Sequence, residues 1–188
     1  MGARVWAAVG VALGLAGCAT QRASVAGGFA GGAAPAPDPS SVERRYVSPL
    51  FGFQVLRPVG NWHLETNDEV SPEGVAVPVM MTDADSGAQV VIQVAPAIAT
   101  PGQFAERLAS GLRRHSGFVA TEPEPLALSG EAVGFSFSMG DVVRGRVAVL
   151  EGGQGRIFMV MATWPTSEPG AAVGVDEIFT SLRPIPGG

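Results

Sequence analysis

Between Tyr46 and Leu182 the chain alternates short Val-, Phe- and Ile-rich runs with turn residues, and a helix signal interrupts that rhythm. Phe51, Phe53 and Val55 alternate with Gly52, Gln54 and Leu56 until Pro58 and Gly60 end the run, and Trp62-His63-Leu64 continues it briefly. Val75 to Thr82 and Gln89 to Ala95 follow, the second with Val90, Ile92 and Val94 on one face and Gln89 and Gln93 on the other. Asp83-Ala84-Asp85-Ser86-Gly87 between them reads as a hairpin loop. A period of two sustained this way demands a sheet with a buried face.

Thr100-Pro101 then predicts a helix start, threonine capping and proline in the first turn, with Phe104, Leu108 and Leu112 at helical spacing and Glu106, Arg107, Arg113 and Arg114 outward. That helix should end near Gly117. Next come Phe118 to Leu128 and then Ala132 to Met139, where Val133, Phe135, Phe137 and Met139 alternate with Ala132, Gly134, Ser136 and Ser138. One face there is well packed and the other lined with small residues. Val142 to Glu151 and Arg156 to Trp164 form a hairpin through Gly152-Gly153-Gln154-Gly155, and the last strand, apolar on both faces, belongs mid-sheet with cover on each side. A closing helix from Ala171 turns Val175, Ile178, Phe179 and Leu182 inward until Arg183-Pro184 stops it. The expected fold class is α+β: a mostly antiparallel sheet of about six or seven strands with two main helices.

The first 44 residues obey a different pattern. Arg4 opens them, Val5 to Ala16 is apolar and uncharged, and small residues precede Cys18, the three-part form of a secretory signal. The apolar run is about twelve residues, short of the roughly 20 needed to span a bilayer. Ala19 to about Ser41 is small and polar, with Gly27-Gly28, Gly31-Gly32, Pro35, Pro37 and Pro39, and lacks any period. Residues 1–17 therefore read as a signal peptide, 18–44 as a flexible tether and 45–186 as the globular domain. A tether of about 25 residues has a typical span near 30 Å and a taut reach near 80 Å.

Charge and cysteine count narrow the function classes. The full chain carries −5, and once the leader is removed eleven arginines face seventeen acids, giving −6. Nucleic acid, which needs a basic stripe to displace counterions, is an unsuited partner. One cysteine excludes an internal disulfide, and thiolate zinc sites need several.

Leu15-Ala16-Gly17-Cys18 resembles a bacterial lipobox. The resemblance implies signal-peptidase recognition at Leu15, Ala16 and Gly17, cleavage after Gly17, a diacylglycerol thioether on the sulfur of Cys18 and a palmitate-type acyl chain on its new amino group. Each buried methylene contributes about 0.8 kcal/mol, so two or more chains hold firmly. Ala19 in place of Asp implies, in the enterobacterial pattern, the periplasmic face of the outer membrane. For the domain, Phe-Gly-Phe-x-Val leading to Pro58-x-x-x-Trp62, the Arg144-Gly145-Arg146 strand and Ile178-Phe179-x-Ser181-Leu182-Arg183 are similar to the PsbP-like group, which shares its fold with Mog-type Ran-binding proteins. That resemblance implies a small α/β/α sandwich that docks onto or assists membrane complexes, with no enzyme activity, no cofactor and an envelope protein as partner.

Candidate chemistry is sparse. Asp83-x-Asp85-x-Gly87 could open a calcium loop, but position 94 is Val where a bidentate glutamate is required, so a plain turn is the better reading. His63 and His115 are far apart in sequence, and His115 follows two arginines that oppose a bound cation. Ser138 lacks the Gly-x-Ser-x-Gly elbow, and Gly152 to Gly155 lacks the Lys and helix of a phosphate loop. Trp62 and Trp164 read as core or rim packing. Arg144 and Arg146, two apart on one strand and joined across the hairpin by Arg156, are the candidate contacts for an anionic ligand or partner. Such a row more often pairs with acids such as Glu151 and Glu131 or keeps a strand soluble. The expected function is a membrane-anchored, non-catalytic binding or assembly-assisting domain; the alternative is a small-molecule receptor or envelope enzyme with a pocket between sheet and helix.

Overall fold

The computed structural model describes residues 44–185, so the expectations for the signal peptide, Leu15, Ala16, Gly17, Cys18 and most of the tether lie outside the described residues. Eleven strands and two helices follow Arg44. They are β1 (Arg45–Ser48), β2 (Phe53–Leu56), β3 (Trp62–Thr66), β4 (Ala76–Asp83), β5 (Gln89–Pro96), α1 (Pro101–Arg113), β6 (Phe118–Ala120), β7 (Glu124–Pro125), β8 (Ala132–Met139), β9 (Val143–Gly152), β10 (Arg156–Pro165), α2 (Ala171–Ser181) and β11 (Arg183–Pro184).

Eight strands form one sheet in the order β3-β4-β5-β10-β9-β8-β6, with β7 beside β8, and β1-β2-β11 form a second. All pairings among the described residues are antiparallel. The register sorts the large sheet into two apolar faces. Val90, Ile92, Ala148, Leu150, Phe158, Val160 and Ala162 share one, covered by Val175, Ile178 and Phe179 of α2 and by Phe53 and Val55 of the small sheet. Phe135, Phe137, Val147, Val149, Ile157 and Met159 share the other, under α1. The α/β/α sandwich holds, with more strands than the runs predict.

The differences have local causes. β3 does not continue β2: the Pro58–Gly60 turn carries the chain into the other sheet. The run from Phe118 splits into β6 and β7 across residues 121–123, where Pro123 has no N–H for the ladder. Thr121 bridges the break, its N–H donating to Ser136 O at 2.9 Å and its Oγ1 accepting from Ser136 N at 3.1 Å. Arg183-Pro184 stops α2 as expected and then pairs with β2.

Both helices start where the sequence says. Thr100 Oγ1 accepts from Gln103 N at 3.2 Å while Thr100 N donates to Gln103 Oε1 at 3.2 Å, a reciprocal cap. α1 ends at Arg113, a turn before Gly117. Its fully buried contacts are Ala105 and Ala109; Phe104, Leu108 and Leu112 are half-buried on the flanks. Small residues at the centre of that face let the helix approach the sheet closely. In α2, Gly174 plays this part: a Cβ there would lie 2.9 Å from Trp62 Cζ2. Trp62 and Trp164, 4% and 6% exposed, belong to the core.

Tyr46 links the small sheet to the core, its ring 6.0 Å from that of Phe53. Burial pushes its phenol above the ordinary 10.0, against a lowering hydrogen bond with Ser48, and the charge of Asp68 adds to the rise. A raised folded value means that the contribution to stability is complete below about pH 10 and is lost as pH climbs through the folded value. Tyr46→Phe is expected to abolish that alkaline loss. Because Tyr46 is the chain's sole tyrosine, phenolate absorbance during alkaline titration reads it directly.

Candidate functional site

The small-residue face of β8 becomes a cleft. Ala132, Gly134, Ser136 and Ser138 stand opposite Leu150, Ala148, Arg146 and Arg144 of β9, on the side of the sheet that α2 covers. Short side chains leave space between sheet and helix, and a cleft of about 290 Å³ opens there. Leu126, Leu128 and Phe179 give it apolar walls; Arg146, Asp176, Glu124 and Thr180 supply its polar rim. Leu126 lies directly over Gly134, where a Cβ would stand 2.5 Å from Leu126 Cδ1 and 2.5 Å from Val147 O. The segment is fixed by Leu126 N donating to Ala132 O at 2.9 Å and Leu128 N donating to Leu126 O at 2.9 Å.

The arginine row divides in three. Arg146 Nη1 donates to Asp176 Oδ1 across the cleft, so its acid comes from α2 and not from Glu131 or Glu151. With the two side chains 35% and 53% exposed, the pair is solvated and contributes little to stability. Arg144, two residues away on the same face, is exposed and in no ion pair among the described residues. Arg156 does not join them. Arg146 pairs with Ala162 and Arg156 with Gly152, which puts Arg156 six residues, or roughly 20 Å, farther along the hairpin. There its Nη1 donates to Leu50 O at 2.7 Å, a carbonyl in the β1–β2 turn.

The other candidates are accounted for locally. Asp83 caps its own turn, Oδ2 accepting from Ser86 Oγ at 2.5 Å, and Asp85 Oδ1 accepts from Asn61 Nδ2 at 3.0 Å. His63 is exposed on β3 and His115 is exposed after α1, on separate elements. Among the described residues no group of three His, Cys, Asp or Glu side chains is placed to hold a metal ion. The Glu73 carboxyl is held below its ordinary value by hydrogen bonds with the Ser71 hydroxyl and its own backbone amide, a turn effect at the surface. The alternation of Ala132, Gly134, Ser136 and Ser138 marked in the sequence a face lined with small residues; the cleft over it is made by Leu126, Leu128 and α2.

A three-layer sandwich whose cleft lies between sheet and helix, rimmed by a satisfied ion pair, defines the class: an α+β domain of PsbP-like fold. Its likeness to solved structures bears on the fold. The solution structure of cyanobacterial PsbP (CyanoP) from Synechocystis sp. PCC 6803 superposes with a TM-score of 0.52 at 12% identity, covering 74% of this chain and 91% of that one. LpqN, involved in cell envelope biogenesis of Mycobacterium tuberculosis, gives 0.47 at 14% identity, covering 71% and 83%. No protein-family model matches the chain, and no curated protein matches it in sequence.

Proposed function

We propose that the chain is a lipoprotein of a bacterial cell envelope, anchored through Cys18, whose domain binds an envelope partner or assists its assembly without catalysis. The observation that carries the reading is Leu15-Ala16-Gly17-Cys18, which ends an apolar leader and contains the sole cysteine. Geometry adds the contact surface. Arg144, in no ion pair among the described residues, stands two residues along β9 from Arg146 of the apolar-walled cleft, suited to an acidic or extended segment of a protein partner. No helix among the described residues is long and apolar enough to cross a membrane. Ala19 favours the periplasmic face of the outer membrane.

Two measurements test this. Acyl-chain labelling with membrane fractionation should find wild type labelled and membrane-bound, and Cys18→Ser unlabelled and released; an unlabelled, soluble wild type would sink the anchor. Crosslinking in intact cells should recover one partner, with the yield reduced several-fold by Arg144→Glu. A chain recovered alone would count against docking. The cleft also supports a second reading, a receptor or enzyme for a small molecule held between sheet and α2. A small ligand co-purifying with the wild type and lost on Ser136→Leu would favour it.

A further inference from the structure

The charge of the domain is unevenly placed. Residues 44–60 and 181–185, which contain the whole small sheet, hold Arg44, Arg45, Arg57 and Arg183 and no Asp or Glu; residues 61–180 hold six arginines against fifteen carboxylates. Glu43 precedes the set in sequence, and among the described residues one ion pair reaches it, Arg44 Nη1 with Glu177 Oε1 at 2.7 Å. Arg57 is half-buried, its Nη1 donating to Trp62 O at 3.0 Å, and the register turns Arg45 and Arg183 outward. Arg45 stands opposite Leu56 and Arg183 opposite Gln54, so an exposed arginine flanks β2 on each side of the outer face, away from buried Phe53 and Val55. Their backbone positions are about 12 Å apart, from two strand spacings and two residues of rise. Between them runs a shallow cleft of about 190 Å³. Neither arginine forms an ion pair among the described residues; Arg183 donates from one Nη to the Leu182 carbonyl at 2.8 Å.

Apolar groups stand beside these cations. Val47, 43% exposed, shares the outer face with Arg45, and Leu50, 54% exposed, tips the β1–β2 turn over Arg156. Exposed guanidiniums with no carboxylate partner among the described residues, interleaved with exposed aliphatic side chains, are the complement of a phospholipid interface, where phosphates meet the cations and the acyl boundary takes the apolar groups. The tether supplies the second reason for this occupant. The tether, residues 18–44, leads directly into edge strand β1 of this same sheet, so the chain from Cys18 enters the domain at the basic face.

We infer that the outer face of β1-β2-β11 docks on the anionic lipid surface to which Cys18 fastens the chain, with Arg45 and Arg183 on headgroup phosphates. The inference rests on the lipoprotein reading. Docking fixes the orientation of the domain: the small sheet and α2 lie on one side of the large sheet, so α1 faces away from the lipid. The domain thereby presents one defined face to its surroundings.

The test uses the full acylated chain on vesicles of phosphatidylcholine, alone or mixed with an equal part of phosphatidylglycerol. Flotation with phosphatidylcholine reports the anchor. An environment-sensitive fluorophore on Val47→Cys, the sole free thiol once Cys18 is acylated, reports the face, and one on Ser116→Cys beyond α1 is its control. The label at 47 is expected to shift on phosphatidylglycerol and to return in high salt, while the label at 116 stays constant. Arg45→Gln with Arg183→Gln should lower the docked-to-free ratio about fivefold per arginine, with thermal unfolding unchanged. A label at 47 indifferent to phosphatidylglycerol, or a shift that survives the double substitution, overturns the inference and leaves the anchor standing. Loss of flotation on phosphatidylcholine with flotation on phosphatidylglycerol that the double substitution abolishes does the reverse.

Discussion

Phe53→Ala is expected to lower the unfolding midpoint by about 10 to 20 °C, measured by calorimetry on the purified chain. Phe53 is fully buried on β2, its ring 5.5 Å from that of Phe158 on β10 and 6.0 Å from that of Tyr46 on β1. It is thus the aromatic bridge between the two sheets. Truncation removes the ring from both contacts and leaves a cavity, at a cost of about 3 to 5 kcal/mol against a total stability of about 5 to 15. Phe53→Leu keeps most of the volume and should cost about 1.5 kcal/mol or less. Leu50→Ala, three residues away but 54% exposed, should fall within about 0.5 kcal/mol of wild type. A Phe53→Ala midpoint within a few degrees of wild type would mean that the small sheet is held by something other than this bridge. The same substitution should also disperse Arg45 and Arg183, because both belong to strands that flank β2.

What could be read from the sequence was what is local. The Thr100-Pro101 cap, the Asp83–Gly87 turn and the alternation of β5 and β8 each act within a few residues, and the structure keeps them. β1 and β11, four and two residues long, are too short for a period to register; they exist because β2 offers a partner on each side. The site shows the same division. Asp176 lies 30 residues from Arg146, and Leu50 lies 106 from Arg156, so no spacing rule could have paired them. The basic face was present in composition as four arginines without a carboxylate, yet Arg45 and Arg183 sit at opposite ends of the domain sequence. Only the pairing of both edges to β2 brings them to one surface.

The Arg-Gly-Arg strand carries a further expected result. Gly145 faces α1 while its neighbours Arg144 and Arg146 face the cleft side, and Phe137 on β8 is its register partner. A Cβ on residue 145 would stand 2.7 Å from Phe137 Cε2 and nearer still to Cζ and Cε1, so the aromatic ring occupies the space a side chain would need. The ring cannot readily move aside: it is 7% exposed, with Phe118 at 6.3 Å. Gly145→Ala is therefore expected to destabilise by about 1 to 3 kcal/mol, through displacement of the ring or a shift of β9. Phe137→Ala alone should cost about 3 to 5 kcal/mol, and in that background the methyl of Gly145→Ala enters vacated space. The double variant should fall short of the sum of the two by at least about 1 kcal/mol in denaturant titrations. Strict additivity would mean that the glycine and the ring do not share this space. Because a shift of β9 would re-aim Arg144 and Arg146, Gly145→Ala should also weaken crosslinking at the cleft, whereas rescue by Phe137→Ala would restore backbone position and partner yield together.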